Sequence, residues 1–191
     1  MSIAPTVSQV VERIAEEDRN PPFCGLIVHF ALQFGQSEFT MRIASLIAGV
    51  ATIAIAWLLG KSCLGPTGGI ILTLLCTFSP IYVFYSREAR PYALGIAFLF
   101  LFLLALHRFM EDTNIRSAGW LGLTSIGCVL TQYAASVIVA VAMMWGLIVI
   151  AHGGKLSRRF LAYWSAIGAA SVGALAACYV YLLRRQLAIQ G

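Results

Sequence analysis

Ser86-Arg87-Glu88-Ala89-Arg90-Pro91-Tyr92 packs three charges into a short connection between two apolar runs. Two guanidinium groups held at the depth of lipid headgroups suit a phosphate or diphosphate, because the planar fork of arginine matches phosphate oxygens. Pro91 cannot lie inside a continuous helix without losing a hydrogen bond, so it is expected to open the next one. Arg87 and Arg90 then fall in a tight surface turn with Glu88 between them. The same residues also fit a plainer reading, an ordinary juxtamembrane turn whose arginines snorkel to the interface. The five cysteines (24, 63, 76, 128 and 178) are odd in number and widely spaced, and no CxxC occurs. The three histidines (29, 107 and 152) stand apart, so neither a disulfide framework nor a zinc site is expected.

The elements that must position this turn are set by composition. Of 191 residues 60% are hydrophobic and 11% charged, and the mean hydropathy is +0.85. A soluble domain carries roughly 25% charged and 45–50% apolar residues. So little polar surface cannot enclose a domain in water, and the chain reads as an all-α, polytopic membrane protein. Its net charge of +5 and pI near 9.1 come from basic residues scattered in ones, twos and threes, without interleaved aromatics. That pattern sets nucleic acid aside and points to membrane lipids as the partner of border arginines.

Charge-free runs lie at 43–60, 62–86, 91–106, 117–154 and 160–183. A spanning helix needs about 20 mostly apolar residues. The first, second and fifth runs supply one span each, and the third does so once extended to His107. The fourth, of 38 residues, is too long for one helix and is broken at Thr131-Gln132-Tyr133, where a helical hairpin is expected to turn. About six spans result. The last carries small residues four apart (Ala166, Ala170, Ala174; Ala169, Gly173, Ala177), which would let a neighbouring helix approach closely.

Residues 1–37 differ from the rest. Ile3, Val7, Val10, Val11 and Ile14 recur at helical spacing opposite Gln9, Glu12, Arg13 and Glu16, after a capping box at Thr6-x-x-Gln9. Asn20-Pro21-Pro22 restarts the chain, and the run from Phe23 to Phe34 is too short to span, which suggests an interfacial or re-entrant helix. Ser37 is placed to cap the next helix, with Glu38 favoured by its dipole. No secretory signal pattern is visible in the first residues. Counting lysines and arginines does not orient the bundle: with the N-terminus outside, six fall inside (61, 108, 116, 155, 158, 159) and seven outside (13, 19, 42, 87, 90, 184, 185).

Four stretches occur in an order that resembles a known family. They are Asp18-x-Asn20-Pro21-Pro22, Gly35-x-Ser37-Glu38-Phe39-x-x-Arg42, Ser79-Pro80-x-x-x-x-Tyr85-Ser86-x-Glu88-Ala89-Arg90-x-Tyr92, and Thr131-Gln132-Tyr133-Ala134. Together they resemble the polytopic GT-C glycosyltransferases, closest to the bacterial group named for rhizobial lipopolysaccharide-core transferases. That group is similar to the protein O-mannosyltransferases and the lipid A aminoarabinose transferases. The resemblance implies transfer of a sugar from a polyprenyl-phosphate donor to a lipid, glycan or protein acceptor on the extracytoplasmic face. It also implies an integral, multi-pass protein of the bacterial inner membrane with its N-terminus outside.

By the same resemblance Asp18 is the candidate catalytic residue, and both Asp18 and Asn20 match positions that line the outer catalytic cavity. Arg42, Arg87, Glu88, Arg90 and Tyr92 form an outer rim, with Gln132 and Tyr133 at the turn where the group often has histidine in place of glutamine. Arg184 and Arg185 match a basic outer segment. Residues 1–37 would form an extracytoplasmic segment, 38–183 the bundle and 184–191 an outer stub. Plainer roles stand beside these: a solvated helix end for Asp18, a salt bridge to a neighbouring arginine for Glu88, a pinned hairpin for Gln132 and Tyr133, and a helix-end charge pair for Arg184 and Arg185.

The chain also departs from the family pattern. The usual first spanning helix and the acidic pair after it are missing, so the sequence reads as a fragment or truncated homologue whose turnover is in doubt. The alternatives are a non-catalytic polyprenyl-phosphate-binding protein or degenerate homologue, and a transporter fragment. Against the transporter, no charge lies mid-span, and no Walker signature supports an ATP-driven pump. No cofactor is called for, and any need for a divalent metal stays open.

Overall fold

The computed structural model describes residues 38–87, 92–153 and 157–190, and their side chains except at 38–44, 87 and 181–190. Among the described residues the elements are helices: α1 (Glu38–Phe78), α2 (Pro80–Arg87), α3 (Tyr92–Glu111), α4 (Ile115–Thr131), α5 (Tyr133–His152) and α6 (Arg158–Gln190). The all-α expectation is met. Four stretches are long and apolar enough to cross a membrane: Ser45–Phe78, Tyr92–Glu111, Tyr133–His152 and Arg158–Val180. The helices of residues 1–37 predicted from the sequence lie outside the described residues.

α1 is two helices joined at a reversal. Gly65 sits at φ 76°, ψ −173°, a conformation that a side chain rarely tolerates, and Pro66 then starts the return limb with its ring preset for a helix's first turn. The limbs meet closely. A Cβ on Gly60 would come 2.5 Å from the Gly68 carbonyl oxygen, and one on Gly69 would come 2.8 Å from the Trp57 ring. Eight residues of straight helix would separate Gly60 and Gly68 by about 12 Å, so the chain has doubled back, as the two runs 43–60 and 62–86 require.

The return limb stops at Ser79, where the sequence pattern suggests one continuous span. Pro80 cannot donate to the helix behind it. Ser79 instead caps α2, its hydroxyl accepting from the Tyr82 amide at 3.3 Å and its carbonyl from the Val83 amide at 3.0 Å. Tyr82 then donates its hydroxyl to the Gly49 carbonyl at 2.9 Å, tying α2 to the first limb of α1.

The remaining helices alternate in direction. α4 is capped at Asn114, whose side chain accepts from the Ser117 amide at 2.9 Å while Ser117 Oγ accepts from the Asn114 amide at 3.2 Å. It therefore begins at Ile115 rather than at 117. Gly127 of α4 faces Phe98 of α3, Gly146 of α5 faces Leu106 of α3 and Trp164 of α6, and Ser171 of α6 meets Ser125 of α4 at 3.0 Å. These pairings make α3 and α5 run one way and α4 and α6 the other. α3 and α4 form the middle, with α1, α2 and α5 against α3 and with α5 and α6 against α4. Phe102, Phe109, Leu121, Cys128 and Phe160 are buried between them. The outer faces of the return limb and α5 remain apolar and exposed, including Ile71, Leu75, Phe78, Val141 and Trp145, as a lipid-facing surface should.

α6 runs past the last charge-free run and leaves most of its small residues on the surface. The helix continues through Arg184 and Arg185 to Gln190, because no proline or glycine interrupts 184–190 and most of those residues are good helix formers. Among the described residues no helix packs on the small-residue rows: Ala166, Ala169, Ala170, Gly173 and Ala177 are exposed, and a Cβ on Gly168 or Gly173 would meet none of the described atoms. α6 turns Trp164, Ile167 and Cys178 inward instead.

Candidate functional site

Alternating direction gives the bundle two ends, and the sequence-predicted residues gather at one of them. Arg87 closes α2, beside Ser86, whose Cβ lies 2.8 Å from where a Cβ on Gly49 would stand. Arg42 lies in the opening of α1, seven residues or about 10 Å before Gly49. Tyr92 opens α3, Gln132 joins α4 to α5, and Tyr133 opens α5. Arg184 and Arg185 ride the far end of α6, about 20 Å along the helix from Ser171. Asp18, Asn20, Glu88 and Arg90 lie outside the described residues. Lys61, Arg108, Arg116, Arg158 and Arg159 fall at the opposite end.

Two local devices shape the Arg87 end. The rings of Tyr85 and Tyr92 lie with centroids 4.8 Å apart, tilted by 45°, so an aromatic pair clasps the base of the turn between α2 and α3. Tyrosine suits this depth, with an apolar ring for the bilayer and a hydroxyl for the interface. Tyr85 lies within the Ser79–Tyr92 motif, yet it was assigned no role from the sequence. Its position two residues before Arg87 is the signal that could have found it.

The second device is the α4–α5 hairpin. Gln132 is extended (φ −156°, ψ 123°) and is the sole residue between the helices. Its amide donates to the Cys128 carbonyl at 3.1 Å, and its carbonyl accepts from the Ala135 amide at 3.0 Å, so the reversal keeps its backbone bonded. Thr131 adds its hydroxyl to the Gly127 carbonyl at 2.9 Å. The Gln132 side chain lies against α3, its Oε1 3.0 Å from where a Cβ on Gly95 would stand. Glycine at 95 thus gives the amide room one turn below Tyr92. The Tyr133 hydroxyl is buried with no hydrogen-bond partner among the described residues. A buried hydroxyl left unpaired costs about 1–3 kcal/mol, which marks the hairpin as a place where polar capacity is left unused.

The helix order therefore gathers the positions of arginines from α1 and α2, tyrosines from α3 and α5 and the hairpin glutamine at one end of an apolar bundle. An anionic headgroup on an apolar tail matches that gradient. Residues 19–182 match the family model described as dolichyl-phosphate-mannose-protein mannosyltransferase. The chain belongs to that family. It is an integral, multi-pass membrane protein of the GT-C glycosyltransferase type. The match runs from one residue past Asp18 to the last turns of α6 before Arg184, and so covers every described pass of the mannosyltransferase-family bundle. No curated protein and no solved structure matches the chain.

Proposed function

We propose that this chain transfers a sugar from a polyprenyl-phosphate donor to a lipid, glycan or protein acceptor, and that the Arg87 end is the donor end. The observation that carries the reading is the convergence of Arg42, Arg87, Tyr92, Gln132 and Tyr133 at one end of an alternating bundle, in a chain of the mannosyltransferase family. That end faces the extracytoplasmic side of a bacterial inner membrane in this reading, with residues 1–37 outside. Within the family the motifs favour the rhizobial lipopolysaccharide-core group.

The chemistry follows from the residue types. The donor's tail stays in the bilayer, and Arg87 and Arg90 hold its phosphate. The acceptor oxygen attacks the anomeric carbon, the bond from that carbon to the phosphate oxygen breaks, and the electron pair leaves on the lipid phosphate. The arginines stabilise that departing charge. The acceptor's proton passes to a carboxylate, the role assigned to Asp18. Arg42 and Asn20 border the cavity, Glu88 orients a neighbouring arginine, and Arg184 and Arg185 extend the basic rim.

The test replaces Arg87 and Arg90 together with Ala. Charge-assisted hydrogen bonds contribute about 1.5–3 kcal/mol each, so donor binding should weaken by well over tenfold while the thermal midpoint in detergent stays put. Unchanged binding would remove the rim assignment. Asp18→Asn, made in the longest native form of the protein, should lower turnover more than donor binding. Binding without any transfer by the unmutated protein would support the non-catalytic reading instead.

A further inference from the structure

We propose that the opposite end of the bundle carries a second lipid site, a groove for an anionic phospholipid between the first limb of α1, α3 and α4. The groove encloses about 520 Å³, within the roughly 300–1,000 Å³ of small-molecule sites. Leu58, Leu101, Leu104 and Trp120 wall it, and Arg108 and Arg116 stand at its mouth. The gradient is that of an amphiphile. Leu101 lies seven residues, or about 10 Å, below Arg108 along α3, while Trp120 is one turn from Arg116 and 64% exposed.

Two carboxylates share the rim, and each faces another group. Glu111 Oε1 lies 3.6 Å from His107 Nε2, and Asp112 accepts from the Asn114 side-chain amide. Neither Arg108 nor Arg116 makes an ion pair among the described residues. Two exposed guanidiniums at the border of a bilayer, above an apolar groove, are complementary to a headgroup phosphate with its acyl chain beneath. A soluble phosphate would leave the apolar walls without a function, and a zwitterionic lipid would gain less from the cations. The site owes nothing to Arg87, Arg90 or the hairpin, so it stands apart from the donor end.

Trp120 supplies the reporter. The protein is reconstituted in phosphatidylcholine vesicles doped with bromoacyl phosphatidylglycerol or bromoacyl phosphatidylcholine, and the Trp120 signal is taken as the difference from Trp120→Phe. Phosphatidylglycerol should quench Trp120 at about tenfold lower mole fraction than phosphatidylcholine. Arg108→Gln with Arg116→Gln should abolish that preference, whereas Arg158→Gln with Arg159→Gln, at the same end but outside the groove, should keep it. Equal quenching of the Trp120 signal by both lipids overturns the site, a comparison that needs only the reporter replacement Trp120→Phe and leaves both arginines in place. So does a preference that survives the groove replacements, or one lost equally in the control pair. If the double variant fails to fold, either single replacement should reduce the preference, and no reduction in both overturns it. Displacement of the lipid signal by soluble glycerol phosphate would make this a soluble-phosphate site and overturn the lipid assignment.

Discussion

At the Arg116 end of the bundle, Phe109, Phe160 and Trp164 stack with ring centroids 4.9–6.0 Å apart, a capping box closes α4, and His107 Nε2 lies 3.1 Å from the Ser62 carbonyl. At the Arg87 end a single extended residue and an aromatic pair join the helices, and the buried Tyr133 hydroxyl has no partner among the described residues. One end ties its helices together with stacked rings and a capped turn, apart from the groove on its flank, and the other leaves a buried hydroxyl of the hairpin itself unused. In a membrane, where helices gain little by hiding from lipid, fastening depends on packing and on satisfied hydrogen bonds. The better fastened end is then the scaffold, and the end with unspent polar groups is where a ligand can complete the structure.

The strongest way to break this contrast is to remove a ring from the stack. Trp164→Ala takes away contacts to Phe109, Phe160 and Gly146. Removing a buried Trp costs about 3–5 kcal/mol in soluble cores, and less is expected where lipid can refill the gap. The thermal midpoint in detergent should fall by more than for any other change described below, with donor affinity of the folded fraction unaltered. A comparable fall in donor affinity would mean that the two ends are not separable. Gly127→Val acts near the middle, where a Cβ would stand 2.4 Å from the Phe98 ring. Overpacking of this kind costs about 1–3 kcal/mol, again read as a lower midpoint.

Much of this contrast was legible in the sequence, and the reasons differ by residue. The hairpin at Gln132 was readable because three polar residues interrupt a 38-residue apolar run, and polar side chains collect where a helix must turn. The reversal at Gly65 was readable as a gap between runs, with Gly-Pro fixing its geometry. The Ser79 break was hidden by uniform hydropathy on either side of it. The α4 cap went unread because Asn114-x-x-Ser117 uses serine where a capping box usually has glutamate or glutamine. The gathering of arginines at one end follows from counting passes, but the Tyr85–Tyr92 clasp and the seat of Gln132 on Gly95 are three-dimensional contacts that no periodicity encodes. The groove at the Arg116 end was hidden because its two arginines stand beside two carboxylates in sequence, and only the structure shows that neither carboxylate pairs with them.

Tyr133→Phe sharpens the contrast in a different direction. With its hydroxyl unpaired among the described residues, removal should leave stability unchanged or raise it by up to about 1 kcal/mol. If the hydroxyl instead serves the donor, binding should weaken about two- to tenfold, the worth of one ordinary hydrogen bond. A higher midpoint together with weaker donor binding is the outcome expected of a site residue. A lower midpoint with unchanged binding would make Tyr133 a structural pin.

The smallest effect is expected at the bond that links α4 to α6. Ser125 and Ser171 meet at 3.0 Å, but each hydroxyl has a carbonyl of its own helix, Gly122 or Ile167, at 2.9 Å to which its single hydrogen can go instead. Ser171→Ala therefore leaves Ser125 satisfied, and hydrogen bonds between membrane helices average about 0.6 kcal/mol. The midpoint should drop by no more than a degree or two, roughly what that energy implies. A loss as large as that of Gly127→Val would mean that α6 depends on this bond rather than on the stacked rings, and the fastening would have to be moved from the Arg116 end toward the middle of the bundle.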